Sequence, residues 1–318
     1  MSPPTVFLFS GQGSQHYRMG AQLYRAEPVF RAELDRLDAM VAPLCGQSVV
    51  ARLYGGGRVG EPFTDTLVTH PAIVMVELAM VELLRADGIR PDLLLGSSLG
   101  EFTAAAVAGV LTVPECLRLV VAQARALEGL PPGGMLAVLA DPGLHRRMPQ
   151  LREHTDLAAR NGPEHFVVSG AEDAIVAAEA ALRAAEIPCQ RVAVEHAFHS
   201  RLLDSRREAC RRLLDGLVLR PPRIPLVSCA TGARVRQPTP EHYWRVVSGP
   251  IEFHRAIRGL EAQGPHRYLD LGPSGTLHNL TAAILGTDRG RSWPLLSMFG
   301  HDSRLLAEVR AALRPHPT

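Results

Sequence analysis

Hydrophobic positions along the chain fall into short apolar runs separated by longer helical stripes. The first run, Thr5 to Ser10 (TVFLFS), is β-rich and stops at GQGSQ, which predicts a buried strand that delivers the chain into a loop. The spacing is helical from Ala21 to Cys45 and again from Pro71 to Arg85. Leu93–Leu95 then reads as a strand, followed by a Gly-Ser-Ser-Leu-Gly turn and a helix over Glu101–Ala108. Strands alternating with helices in this way predict an α/β fold on a parallel sheet.

The rhythm changes near Leu130, at LPPGGM. Beyond it come apolar MLAVLA, a helical stretch, strand-like HFVVSG (His165 to Gly170), the helix AEDAIVAAEAALRAAE and a strand RVAVE. This β-α-β-α-β order, over about 65 residues, predicts a small inserted α+β unit. The larger unit resumes with strand-like IPLVSCATG and YLDLGPSG, while Pro221, Pro222 and Pro225 punctuate a loop.

Composition narrows the class without choosing the function. The 318 residues are 46% hydrophobic and 21% charged, with a formal charge of +2, as in an ordinary globular protein of one large domain or two smaller ones. No uninterrupted apolar run nears the roughly 20 residues of a membrane helix. The start, MSPPTVFLFSGQG, lacks the basic end and cleavage site of a signal peptide. The expectation is a cytoplasmic protein without membrane or nucleic-acid partners. Five scattered cysteines without a CxxC fit reduced thiols better than disulfides or a metal site. There is no lysine, so all 34 basic residues are arginine, which reads as the coding bias of a GC-rich genome.

The turn at Gly96–Gly100 carries the first chemistry. Gly-x-Ser-x-Gly between a strand and a helix is a nucleophile elbow: small flanking residues permit the sharp turn, and the serine stands exposed at the head of the sheet. In this register Ser98 is the nucleophile, Ser97 is the variable second position, and the Leu99 N–H at the helix start is free to stabilise an oxyanion. A serine needs a base. His196 and His199, in VEHAFHS at the exit of the RVAVE run, are the two candidates among 13 histidines, and spacing does not choose between them.

FLFSGQGSQ, GSSLGEFTAAAVAG, NGPEHFVVSG, HAFHS, PLVSCATG and LDLGPSGTL occur in that order over nearly the whole chain. Together they resemble the malonyl-CoA:acyl carrier protein transacylase family and the acyltransferase domains of polyketide synthases. The resemblance implies an α/β-hydrolase-like large subdomain (1–129 and 197–318) with an inserted ferredoxin-like small subdomain (130–196). It implies that Ser98 is the nucleophile, His199 the base, and Gln12 the partner of Leu99 in the oxyanion hole. A backbone carbonyl should orient the histidine, and by approximate alignment it belongs near Val246. Where the family has histidine before the serine, this chain has Ser97 at the border of the pocket.

The resemblance implies two-step acyl transfer through an acyl-serine, with no bound metal or redox cofactor and with substrates carried on phosphopantetheine or CoA. Malonyl-type members carry an arginine that grips the substrate carboxylate in the helix after the elbow helix. Aligned without gaps, that position is Gln123. On that helix Arg125 points about 160° and Arg118 about 140° away from it. A neutral amide cannot replace a guanidinium for a buried carboxylate. Phe198, before His199, matches the malonyl-type motif, where the ring narrows the pocket at the acyl α-carbon.

The expected activity is therefore transfer of a non-carboxylated acyl group, such as a starter, aminoacyl or short peptidyl group, to an acyl carrier protein in a polyketide or hybrid peptide–polyketide pathway. The alternatives are a carrier-protein thioester hydrolase, a malonyl transferase whose carboxylate site is rescued by a distant arginine, and a non-catalytic carrier-binding module, which the intact Ser98, His199 and GQGSQ disfavour. Because no synthase domain is appended, the expectation is a free-standing, trans-acting monomer. RLLDSRREACRRLLDGL after His199 predicts a helix whose Arg206, Arg207 and Arg211, with Arg201 and Arg212, would meet an acidic carrier protein. Arg146, Arg147 and Arg152 form a second candidate patch.

Overall fold

The computed structural model describes residues 3–313. Ten strands make two sheets among the described residues: β1 (Thr5–Phe9), β2 (Leu93–Gly96), β3 (Gly133–Val138), β4 (Asp156–Gly162), β5 (His165–Ala171), β6 (Cys189–Arg191), β7 (Leu226–Ser228), β8 (Ala233–Val235), β9 (Arg267–Asp270) and β10 (Ser292–Pro294). The larger sheet has the order β10-β9-β1-β2-β7-β8 and is parallel except for the edge pair β7–β8. All five β1 residues are buried, as expected for a central strand covered by helices on both faces. The smaller sheet, β4-β5-β3-β6, is antiparallel throughout. The fold is thus the two-subdomain α/β arrangement, with an α/β-hydrolase-like larger part and a ferredoxin-like smaller one.

Several elements differ from the sequence reading. The Ala21–Cys45 stretch is two helices, Ala21–Ala26 and Pro28–Cys45, because Pro28 has no N–H and suits only the first turn of a new helix. The small sheet gains a strand in β4, and RVAVE contributes only its first residue to β6. Arg201–Leu217 is a 3-10 turn (Arg201–Arg206) followed by a six-residue helix (Arg207–Arg212), not one long helix. Thr66–Ala86 is, by length and composition, apolar enough to cross a membrane, but 89% of its most apolar window is packed inside the protein. It is a core helix.

The smaller sheet is stitched to the larger part next to the site. Ile251 donates its N–H to the Ala158 carbonyl and accepts from the Arg160 N–H, both at 2.8 Å, so the segment just after Gly249 runs along β4.

Candidate active site

Parallel strands deliver their chemistry at their carboxyl ends, and here β1 and β2 lie side by side and end together. β2 leads straight into the turn. Ser98 has a φ of 54°, a left-handed conformation uncommon for a side-chain-bearing residue and of the kind that persists only where surroundings enforce it. The enforcing contacts are steric. A Cβ on Gly96 would collide with the Glu101 backbone, and one on Gly100 with the Phe9 carbonyl. The loop after β1 comes just as close: a Cβ on Gly11 would lie 2.9 Å from the Ser98 Cβ.

Two buried carboxyl groups bracket the turn, and neither was singled out by sequence reasoning. Glu77 accepts from the Ser10 N–H at 2.6 Å and from the Thr103 hydroxyl at 2.7 Å, joining the β1 loop to the elbow helix Gly100–Ala108. Burial pushes its carboxyl up to about 8. Glu101 accepts from the Ser228 hydroxyl at 2.8 Å and the Ala230 N–H at 3.0 Å, tying the same helix to the end of β7.

His199 completes the dyad. Its Nε2 lies 2.7 Å from the Ser98 Oγ, and its Nδ1 lies 2.8 Å from the Gly249 carbonyl oxygen. With Nδ1–H donated to that carbonyl, Nε2 is left as the acceptor facing the serine. His199 is only 4% exposed, and burial pulls its pKa down to about 4, against the upward pull of the Gly249 carbonyl. The ring is therefore uncharged at neutral pH, with Nε2 free to accept a proton. His196, the other candidate, instead sets its ring edge-on against Phe198 at 5.9 Å.

The orienting carbonyl is Gly249, which corrects the expectation of Val246. Val246 lies inside the helix Pro240–Ser248, where carbonyls point along the axis. Gly249 follows the helix with extended backbone (φ −83°, ψ 163°), so its carbonyl turns outward. Val246 contributes to the wall of the Ser98 cleft instead.

That cleft, of about 260 Å³ including its open mouth, is lined by Ser98, Leu99, Gln12, His70, Gln123 and Phe198, with Phe102, Val246 and Val247 behind them. Among the described residues, the N–H groups of Gln12 and Leu99 have no acceptor in the protein. Ser97 corrects another expectation. It is not among the lining residues; it lies beside the buried Cys229 thiol instead.

No arginine lines the cleft among the described residues. Gln123 is 6% exposed and its amide makes no hydrogen bond to protein; Oε1 is buried without a partner. Arg118 and Arg125 point out to solvent, and Arg125 donates to the Leu44 carbonyl. The basic-looking lining residue, His70, is fully buried; desolvation takes its pKa down to about 3, so it is neutral too.

The proposed docking arginines are not a bare positive patch. Arg207 pairs with Glu241 at 2.8 Å, Arg211 with Glu208 and Glu241 at 3.8 and 3.9 Å, and Arg206 donates to the Glu128 carbonyl. Arg201 and Arg212 pair with Asp156 and Glu208, and in the second patch Arg147 and Arg152 pair with Asp141 and Glu153. The short-range carboxylates cancel much of the field the sequence suggested.

The family model described as "Acyl transferase domain" matches residues 6–294. The chain is 39% identical over 312 residues to "Polyketide biosynthesis acyltransferase homolog PksD" of Bacillus subtilis (strain 168), covering 97% of this chain and 96% of that one. It is 41% identical over 287 residues to "Polyketide biosynthesis acyltransferase homolog BaeD" of Bacillus velezensis, covering 90% and 89%. Among solved structures, a loading acyltransferase from the avermectin modular polyketide synthase superposes with a TM-score of 0.88 at 31% identity, covering 96% of this chain and 99% of that one.

Proposed function

Because the chain belongs to the acyl transferase domain family, we propose that it is a trans-acting acyltransferase that carries a non-carboxylated acyl group as an ester on Ser98, from a thioester donor to the phosphopantetheine thiol of an acyl carrier protein. The Ser98 oxygen attacks the thioester carbonyl while His199 Nε2 takes its proton. Negative charge on the carbonyl oxygen receives the two unoccupied N–H groups of Gln12 and Leu99. Collapse breaks the carbon–sulfur bond, and the leaving thiolate recovers the proton from His199. The carrier thiol then attacks the acyl-serine, and the same proton transfers run in reverse.

The observation that carries the substrate reading is the neutral cleft. A carboxylate placed there would meet Gln123 and an uncharged His70, with no guanidinium among the lining residues, and an unpaired buried charge is costly. Phe198 narrows the same space near the acyl α-carbon and supports a group with little branching there.

The test is intact-protein mass spectrometry after mixing with carrier proteins loaded with malonyl, acetyl, aminoacyl and dipeptidyl groups. We expect an acyl adduct from neutral groups and an acylated second carrier. Fast malonyl adduct formation would overturn the reading of Gln123. Release of free acid with no acylated acceptor would assign the chain to thioester hydrolysis, in which water replaces the carrier thiol.

A further inference from the structure

The sheet end that carries Ser98 also carries an apolar tip. β10 pairs with β9, β9 with β1 and β1 with β2, all parallel, and the register sets Pro294 level with Asp270, Leu8 and Leu95. The chain leaving β10 therefore emerges at the carboxyl end from which the Ser98 elbow rises, three strand spacings or about 14 Å across the sheet. It buries Leu295 and Leu296, then turns outward at Met298 and Phe299. Phe299 is 83% exposed, more than any other large hydrophobic among the described residues, and Met298 stands exposed beside it.

The turn is braced. The Gly300 N–H donates to the Ser297 carbonyl, the Phe299 N–H to the Ser297 hydroxyl, and the Ser297 N–H to the Asp302 carboxylate. Gln22, on the helix Ala21–Ala26, clamps it from the side: its amide nitrogen donates to the Gly300 carbonyl, and its amide oxygen accepts from the Ser303 N–H. Arg25 lies one turn beyond Gln22, near enough for its charge to act on Asp302. Arg18 stands just before the same helix, in the segment leading from Gln12. Both arginines are exposed and outside any salt bridge among the described residues, whereas Arg207 and Arg211 are paired with carboxylates.

We infer that the Met298–Phe299 turn, flanked by Arg18 and Arg25, is the docking contact for the carrier protein, a surface that rests on the acyl-Ser98 reading. The surface asks for an apolar side chain to cover the Phe299 ring, framed by carboxylates to meet the two arginines. An acidic carrier protein offers both, and its extended phosphopantetheine arm outreaches three strand spacings. Its body can thus rest on the turn while its thioester lies at Ser98. The bracing favours this contact, because the turn need not become ordered when the partner arrives.

The experiment compares Phe299→Ser and Arg25→Glu with the unaltered protein, using two acetyl donors. One is the carrier protein that acylates it fastest in the test above; the other is acetyl N-acetylcysteamine, with the acyl-enzyme read by intact mass. With the carrier, Phe299→Ser should lower kcat/KM about tenfold or more. Arg25→Glu should lower it about threefold at low salt, an effect that shrinks as salt is raised. With the small thioester both variants should stay within about twofold of the unaltered protein. Equal losses with both donors, or no loss with the carrier, would overturn the docking surface and leave the acyl-serine reading standing. A dimer in light scattering that Phe299→Ser dissolves would also overturn it, giving the turn to a second copy of this chain. No adduct on the unaltered protein from either donor would overturn the acyl-serine reading and the docking surface with it.

Discussion

The two ends of the acyl cleft are built on opposite principles. At the reacting end the polar side chains are bonded: Ser98 to His199, His199 to Gly249, Glu77 to Ser10 and Thr103. Three glycines there are crowded so closely that no side chain fits. At the acyl end, Gln123 Oε1 and His70 Nδ1 are buried without partners. Buried polar atoms are nearly always satisfied, so a cluster of exceptions facing one cleft marks a place where something else supplies the bonds. The comparison teaches that the chemistry is held rigid while recognition is left open, to be completed by the substrate.

Breaking the rigid end should have the largest effect. Ser98→Ala and His199→Ala are each expected to lower acyl-enzyme turnover by about 10⁴-fold or more, measured with a neutral thioester, and the double variant should be little worse than either. Strictly additive losses would show that the two do not act as a unit. Gly100→Ala should cost about 3 kcal/mol in denaturant unfolding, since its Cβ would press on the Phe9 carbonyl. A loss under about 0.5 kcal/mol, the range of ordinary surface changes, would show that the elbow is less confined than its contacts imply.

Acidity sharpens the comparison further. In the proposed mechanism transfer requires neutral His199, whose pKa burial lowers to about 4, so the acylation rate should stay level as pH falls through 6.5 and decline only near 4. A half-drop near 6.5, the unperturbed value for histidine, would mean that burial does not govern the base. At the open end, Gln123→Arg should raise malonyl adduct formation about tenfold while slowing neutral acyl groups, because a guanidinium can pair bidentately with the carboxylate. Ser97→Ala, facing away toward Cys229, should change either rate by less than about twofold, the smallest effect of the set.

What the sequence revealed follows the same division. The elbow was legible because its physics acts on residue type: only glycine fits at Gly96 and Gly100, and the pattern between strand and helix selects Ser98. Gly249 was not, because a backbone carbonyl leaves no side-chain signature, and its identity depends on where the preceding helix ends. β4 escaped notice because DLAARNG has few β-branched or aromatic residues; its pairing with β5 comes from tertiary context. The arginine patches were legible as charge but their ion pairs were not, because pairing with Glu241 and Glu208 depends on packing that composition does not show. Gln123 was visible as a departure from a pattern, but its neighbours in the cleft were not, since residues from Gln12 to Val247 meet there only in the fold.

The bond between His199 and Gly249, together with the seam that runs from Gly249 to β4, bears on how the enzyme comes into being. Ser98, His199 and Gly249 are spaced 101 and then 50 residues apart in the chain. A growing polypeptide folds largely from its N-terminus as it is made. Halted before position 249, it would hold the serine and the imidazole without the carbonyl that aims the ring. The dyad is thus aimed only where three distant segments of the chain meet, and the seam from Gly249 to β4 holds the last of them in place.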